Sequence, residues 1–506
     1  MNQIKAGAIL SYVSLFLTTF LGIVYTPFML REMGQSEFGL YSLAASVIAY
    51  LTLFDFGFGN AVARFTAKFK AEGKKQELNE MLGMFFLVYC GIALLVALAG
   101  VALYCSAETM FSAKMTMEEL VRAKLIIAIL VCNLVFTFPL FMFGSVVTAY
   151  EDFIFQRGLH IARILLQTAI MFPLLIWGYK AVALSVLLTV MNIGTLLVTA
   201  IYCFKKIKIR LLFTNIDWGL LKEISGYSFF IFLGVAAERI CWSSGQFILG
   251  YTSGTSVVAV YAVAIRIIGF YTAISTAIPG VLLPKITTMV TRDSSMEELS
   301  RLFIRMGRIQ FYIIGTVFVG FVLFGRQFVN LWAGDEYLES YWVTLLIMGA
   351  LIPTLIQNTG LVILQAMGRL HFRSVLHILV TGVGLLIGFF GATHWGGIGC
   401  ALGISIAFIL GNGIVLNYYY SKFIGLDILC YWKNIFKIAM PLVLVAVPLG
   451  SLDMWLHQEG LWRFVLDGTI FSVVIGICYW AFSMNVYEKE LLGAAFIRMK
   501  NKLRQR

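Results

Sequence analysis

Charge is what this sequence has least of. Only 13% of its 506 residues are Asp, Glu, Lys or Arg, about half the share that an ordinary soluble domain shows to water. Proline is scarce, with eight residues in the chain, so little interrupts long helices. The eight cysteines lie scattered through apolar stretches with no CxxC spacing, which argues against a disulfide framework or a zinc site. His160, His371, His377, His394 and His457 show no HExxH or other metal spacing. No GxxxxGK[ST] occurs, so an ATP-driven machine within this chain is not expected. No run alternates with period two, as a membrane barrel would, and no connection has the length of a soluble domain. The longest outer loops, 106–122 and 452–463, are short for the acceptor and catalytic groups of a membrane polymerase or ligase, so no enzyme is expected.

What remains is apolar. With 60% hydrophobic residues and a mean hydropathy of +0.89, the chain reads as an all-α polytopic membrane protein. Hydrophobic runs recur at 7–30, 40–61, 81–105, 123–149, 160–177, 181–204, 226–250, 257–281, 309–332, 342–366, 375–394, 397–420, 436–452 and 464–484, which predicts fourteen transmembrane helices. The first run is too long for a signal-peptide core and lacks a small-residue cleavage site, so it is expected to be retained.

If the N-terminus is cytoplasmic, most of the 38 Lys and Arg residues fall on the cytoplasmic side, as the positive-inside rule expects. Among them are Arg157 and Arg163 at the entry to the fifth run, Arg301, Arg305 and Arg308, and the basic tail from Lys489 to Arg506. Both termini are therefore expected in the cytoplasm. The net charge of +12 reads as anchoring to an anionic leaflet, with membrane lipids rather than nucleic acid as partners. Trp332, Trp342, Trp395, Trp432 and Trp462 fall near the ends of spans, where indole rings favour the interface.

A faint internal repeat divides the chain. Phe155-Gln-Arg-Gly-Leu-His-Ile161, entering the fifth span, resembles Phe372-Arg-Ser-Val-Leu-His-Ile378, entering the eleventh. An offset of an even number of spans keeps each half the same way up, so two six-helix lobes in parallel repeat are predicted. The N-terminal lobe is 1–204, a cytoplasmic linker spans 205–225, the C-terminal lobe is 226–420, and 421–506 adds spans thirteen and fourteen with a basic tail.

Against this apolar background a few polar residues stand out. Glu238 and Arg239 fall near the centre of the seventh run and Arg266 near the centre of the eighth. A charge at that depth costs ~2.5–3.5 kcal/mol on insertion scales, so such residues face a bundle interior or a wet cavity. Glu238 and Arg266 are expected to form a resting pair. The competing readings are helix-locking pairs and an Arg239 that snorkels outward. Asp55 in the second span is read as a cap of the turn Asp55-Phe-Gly-Phe-Gly-Asn60, as a partner of a basic loop, or as a functional carboxylate such as a proton site. Asn133, Gln167, Asn192, Gln246, Gln357, Asn358 and Asn412 line a hydrophilic path or act as interhelical hydrogen-bond glue.

Two segments carry a resemblance. Arg31-Glu-Met-Gly-Gln-Ser-Glu-Phe-Gly-Leu-Tyr41 followed by Phe54-Asp-Phe-Gly-Phe-Gly-Asn60 resembles the oligosaccharide flippases of the multidrug/oligosaccharidyl-lipid/polysaccharide exporter superfamily, of the bacterial O-unit or capsule type. Tyr261-Ala-Val-Ala-Ile-Arg266 with Leu283-Pro284 is similar to the eighth span of the lipid II flippase branch, where an arginine lines the cavity. The resemblance implies a polyprenyl-pyrophosphate-linked oligosaccharide as substrate, in the bacterial plasma membrane. It also implies glycosyltransferases and a glycan polymerase as functional partners.

That cargo has a lipid tail, a sugar and a permanently anionic pyrophosphate. Arginine suits the pyrophosphate because its planar donors bind two oxygens and stay protonated, which makes Arg266 and Arg239 the candidate contacts. No cofactor is expected, and coupling to a proton or sodium gradient or to the membrane potential stays open. The rival with the same architecture is a multidrug exporter of organic cations, in which the resemblance implies an acidic residue in the first or tenth span. Runs 7–30 and 342–366 hold none. Lipid II transfer is a third reading. Alternating access is the expected mechanism, with Gly57, Gly59, Pro279, Gly280 and Pro284 loosening helices.

Overall fold

Without water to bond the backbone, a chain crossing hydrocarbon satisfies its own N–H and C=O groups as helix. The computed structural model describes residues 3–213, 218–276, 286–290, 292, 295–456 and 460–490, and contains no strand among them. The helices are α1 Gln3–Met33, α2 Gln35–Leu51, α3 Phe58–Ala71, α4 Lys75–Phe111, α5 Met117–Ala149, α6 Phe153–Ile176, α7 Ala181–Tyr202 and α8 Trp218–Thr252. After α9 Thr255–Thr276 come α10 Met296–Ala333, α11 Ser340–Ile356, α12 Asn358–Ala366, α13 Leu370–Phe408, α14 Ile428–Leu456 and α15 Leu461–Cys478. Six of the few prolines, Pro27, Pro139, Pro173, Pro353, Pro441 and Pro448, sit inside these helices. Pro279, Gly280 and Pro284 lie outside the described residues.

By length and hydropathy eleven described helices can cross a membrane, or twelve if the bent pair α11–α12 is one span. Fourteen is not reached on this criterion. Trp218–Thr252, the expected seventh span, is not among those that qualify, and His371–Ile424 qualifies as one segment where two were expected.

That segment is folded back on itself. Trp395 and Gly396 have non-helical dihedrals, and Gly396 has φ 52°. A Cβ built on Gly403 would fall on the backbone of Gly388, and one on Gly399 would fall on the carbonyl of Gly391. In a straight helix Gly388 and Gly403 would stand about 22 Å apart. Their backbone contact requires two antiparallel arms joined at Trp395-Gly396, and only glycine lets the arms approach so closely.

Two other expected spans are broken. In the second, a 3₁₀ turn Thr52–Asp55 leads to left-handed Phe56 (φ 49°) and Gly57 (φ 75°) before α3 resumes. The turn expected near the end of the span thus interrupts a longer one, Gln35–Ala71. In the tenth, Pro353 precedes a 41° bend at Gln357.

The internal repeat has a geometric counterpart. Phe155 stacks on Tyr202 at 3.7 Å, and at the same sequence offset Phe372 stacks on Tyr419 at 3.9 Å. Each tyrosine leads into one π-helical turn, Cys203–Ile207 or Tyr420–Ile424, closed by left-handed Lys208 or Gly425. The hydrogen bonds from Ile209 N–H to Cys203 O and from Leu426 N–H to Tyr420 O match as well. Equivalent side chains therefore sustain equivalent backbone breaks in the two copies.

The chain forms two compact units, one of Met1–Val263 with His377–Ile404 and the other of Ala264–Leu376 with Ser405–Arg506. In the first, α5 lies between α4 and α7, and α1 lies along α6. In the second, α10 packs against α11, α14 and α15. The expected lobes 1–204 and 226–420 follow the repeat, whereas these units follow compactness.

The second unit is fastened at one end by an ion pair. Arg308 on α10 donates from Nε to Glu488 Oε1 at 2.6 Å and from Nη2 to Glu488 Oε2 at 2.8 Å. The two side chains are only 7% and 4% exposed. Asn434 Oδ1 and the Ser483 carbonyl take further guanidinium protons. Asn485 and Glu488 exchange side-chain and backbone bonds at 2.9 Å, capping the short helix that follows α15.

Candidate functional site

Asp55 sits where the 3₁₀ turn ends, so its carboxylate faces the free N–H groups opening α3. Tyr89 OH donates to its Oδ1 at 3.0 Å. Its place just before the left-handed Phe56 and Gly57 is that of a turn-capping carboxylate. Beyond it, Tyr50 on α2 bonds Ser244 on α8 at 2.6 Å.

In the first unit, Glu238 and Arg239 fall in the middle part of α8 and are exposed, and Gln246, two turns on, is half-buried. Among the described residues neither Glu238 nor Arg239 makes an ion pair. In the second unit, Arg266 lies at the middle of α9, half-buried between buried Val263 and Ala264 on one side and Ile267 on the other. Glu238 and Arg266 belong to different units, and with no ion pair at Glu238 among the described residues the expected resting pair is not seen.

Gln357 and Asn358 occupy the break between α11 and α12. Gln357 Nε2 donates to Asn417 Oδ1 at 2.7 Å, and Asn417 in turn donates to the Gly413 carbonyl. Asn358 Nδ2 donates to Ser275 Oγ at 3.0 Å, while Ser275 donates to the Leu355 carbonyl. Tyr431 OH donates to the Ile356 carbonyl at 2.9 Å. The polar groups therefore replace the backbone bonds that the bend removes, and the Asn412 carbonyl accepts from Asn417 in the same patch. Gln357 Oε1 and both amide atoms of nearly inaccessible Gln310 are buried with no hydrogen-bond partner among the described residues.

The structure brings Asn133 and Asn192 together, with a residue the sequence reading had put elsewhere. Arg163 Nη1 donates to Asn192 Oδ1 at 2.9 Å. Asn192 Nδ2 donates to Asn133 Oδ1 at 2.9 Å and to Thr137 Oγ1 at 2.7 Å. Arg163 was expected among the cytoplasmic basic residues. Helix α6 begins at Phe153, seven residues before the apolar run, which moves Arg163 close to the middle of its 24 residues. Its partners are also near the middles of α5 and α7, a coincidence of depths that the sequence did contain. Gln167, one turn beyond Arg163, is half-buried. His160, one turn before, meets Ser14 of α1 at 2.8 Å. No group of three or more His, Cys, Asp or Glu suited to a metal ion occurs among the described residues.

The fold is similar to the lipid II flippase MurJ in its inward closed conformation, with a TM-score of 0.71 and 16% identity, covering 96% of this chain and 99% of that one. It is also similar to a multidrug resistance MATE family transporter of the MOP superfamily. The inward-facing form of that transporter gives a TM-score of 0.63 at 14% identity, covering 86% of this chain and 99% of the other. The outward-facing form gives 0.57 at 15% identity, covering 86% and 97%. At these identities the likeness concerns the fold. No curated protein matches the sequence. The apolar helices and this fold make the chain a multi-pass membrane protein with the architecture of flippases and transporters. The family described as polysaccharide biosynthesis protein matches residues 4–290, more than half of the 506, and the chain belongs to that family.

Proposed function

We propose that the chain is a flippase, not an enzyme, which moves a polyprenyl-pyrophosphate-linked oligosaccharide repeat unit from the cytoplasmic to the outer leaflet of a bacterial plasma membrane. The observation that carries this reading is the position of Arg239 and Arg266, both in the middle part of a helix in a polysaccharide-biosynthesis family member. Guanidinium groups at that depth offer the pyrophosphate paired donors in place of water. Arg239 and Arg266 present these donors to the head group, while Gln167 and Gln246, both half-buried, bond sugar hydroxyls. The segments 1–204 and 226–420 move as lobes in alternating access, and 421–506 is an appended helix pair with a cytoplasmic tail. With the inside negative, the membrane potential favours outward movement of an anion by ~2.3 kcal/mol per charge per 100 mV. The supply and use of such a cargo call for glycosyltransferases and a glycan polymerase. Lipid II is the second reading, favoured by the fold's likeness to the lipid II flippase.

Replacing Arg266 tests the reading. Loss of hydrogen bonds to a charged group costs ~1.5–3 kcal/mol, so Arg266→Ala should slow translocation of a labelled lipid-linked saccharide by roughly ten- to hundredfold. Arg266→Lys should retain part of the rate. Wild-type flipping by Arg266→Ala at equal expression would remove this residue from the mechanism.

A further inference from the structure

A guanidinium in the middle of a membrane helix needs a counter-charge, and Arg163 has none among the described residues. Among the described residues its hydrogen bond goes to a neutral amide, Asn192 Oδ1, and it forms no ion pair. Helix α6 and helix α7 contain no Asp or Glu, and α5 has only Glu118 and Glu119, in its first turn. Those carboxylates start about 20 Å along the axis from Asn133. Asp152, just before α6, is about 16 Å from Arg163 along the helix and is taken by Tyr202 OH at 2.8 Å. The same helix adds positive charge, with Arg157 six residues before Arg163.

The neutral partners orient this cation without neutralising it. Asn192 is pinned from behind, because its Nδ2 spends both protons on Asn133 and Thr137 and so turns its oxygen toward Arg163. Thr137 is fixed in turn by the Asn133 carbonyl at 2.7 Å. Three helices therefore converge to aim one guanidinium whose other N–H groups have no bond among the described residues. Arg163, Asn192, Asn133 and Thr137 are all half-buried rather than sealed, so a ligand has access. An interhelical strut would need only an amide at this position, whereas a charge uncompensated by protein is costly until an anion arrives.

We infer that Arg163 is an oxyanion-binding residue for the head group, and that Asn192, Asn133 and Thr137 are its positioning residues. The inference rests on the flippase reading and extends it to the first unit, independently of Arg266. The ligand chemistry is a phosphate or carboxylate oxygen pair, supplied by the carrier's diphosphate or by an acidic sugar.

The test measures binding to purified protein in detergent of polyprenyl diphosphate, of polyprenol, and of a polyprenyl-linked saccharide carrying a uronic acid. Arg163→Gln keeps an amide donor for Asn192 and should leave thermal stability near wild type. Its affinity for at least one oxyanion probe should fall by tenfold or more, and Arg163→Lys should recover part of it. Weakening with the diphosphate places the contact at the carrier, and weakening with the uronic acid lipid alone places it at the sugar. Wild-type affinity of Arg163→Gln for both, with Arg266→Ala weakened, would overturn the inference and leave the flippase reading intact. Failure of the wild-type protein to bind either oxyanion lipid better than polyprenol would overturn both.

Discussion

Arg308→Ala should cost about 3–5 kcal/mol of stability, because it strands the carboxylate of Glu488 in a site where that side chain is 4% exposed. The guanidinium gives Glu488 a two-pronged bond at 2.6 and 2.8 Å, and Asn434, Tyr312 and the Ser483 carbonyl use its remaining protons. Removal of such a pair leaves an unpaired charge and loses packing as well. Replacing both partners, Arg308→Met with Glu488→Leu, should be far milder than the single change, since a buried pair can be matched by apolar groups of similar volume. Differential scanning fluorimetry in detergent reads both effects. A single variant within about 0.5 kcal/mol of wild type would show that the pair contributes nothing net.

The same pair sets a pH dependence. Burial opposes ionisation of Glu488, but the Arg308 hydrogen bonds, the Asn485 backbone N–H and the Arg308 charge outweigh it and hold the carboxyl below the usual glutamate range. A folded-state pKa below the unfolded one stabilises the protein fully above the unfolded value, near 4.3, and the contribution is lost as pH falls through the folded value. Stability should therefore be flat through neutral pH and fall in acid. Glu488→Gln should remove part of that acid limb.

The second large effect belongs to the glycine hairpin in α13. Gly399→Ala puts a methyl group on the Gly391 carbonyl, a backbone atom that cannot step aside, so a loss of about 3 kcal/mol or more is expected and little folded protein should be recovered. Gly382→Ala, on the same helix, meets nothing within 4 Å and should be neutral or slightly stabilising. Size-exclusion profiles of the two variants, expressed side by side, distinguish them. Equal recovery would mean that the arms are not in backbone contact.

The sequence made the helices legible because hydrocarbon allows little else, and the repeat was legible from Phe155 and Phe372. Its structural content, two Phe–Tyr stacks leading into matching π turns, was carried by tyrosines that no short motif marks. Hydropathy could not reveal the breaks at Asp55-Phe56-Gly57 and Gln357, because an apolar run reads alike whether its dihedrals are helical or not. Asp55 could be read as a cap because a carboxylate before Gly57 and Gly59 faces free N–H groups. Arg163 was misplaced for a definite reason. A helix that starts with Phe153-Ile-Phe-Gln-Arg begins before the continuous apolar stretch, and seven residues shift a side chain by about 10 Å in depth.

What unites Arg163, Arg239 and Arg266 is the sign of the charge set at mid-helix, which suits an anionic cargo. The direct test is reconstitution of the purified protein in liposomes, with two cargoes offered in parallel under an inside-negative potential. One is a fluorescent polyprenyl-pyrophosphate-linked saccharide, read by accessibility of its label to an outside reductant, and the other is a fluorescent organic cation. The account predicts that label appears outside faster than in protein-free vesicles while the cation stays put. Export of the cation without movement of the saccharide lipid would contradict it.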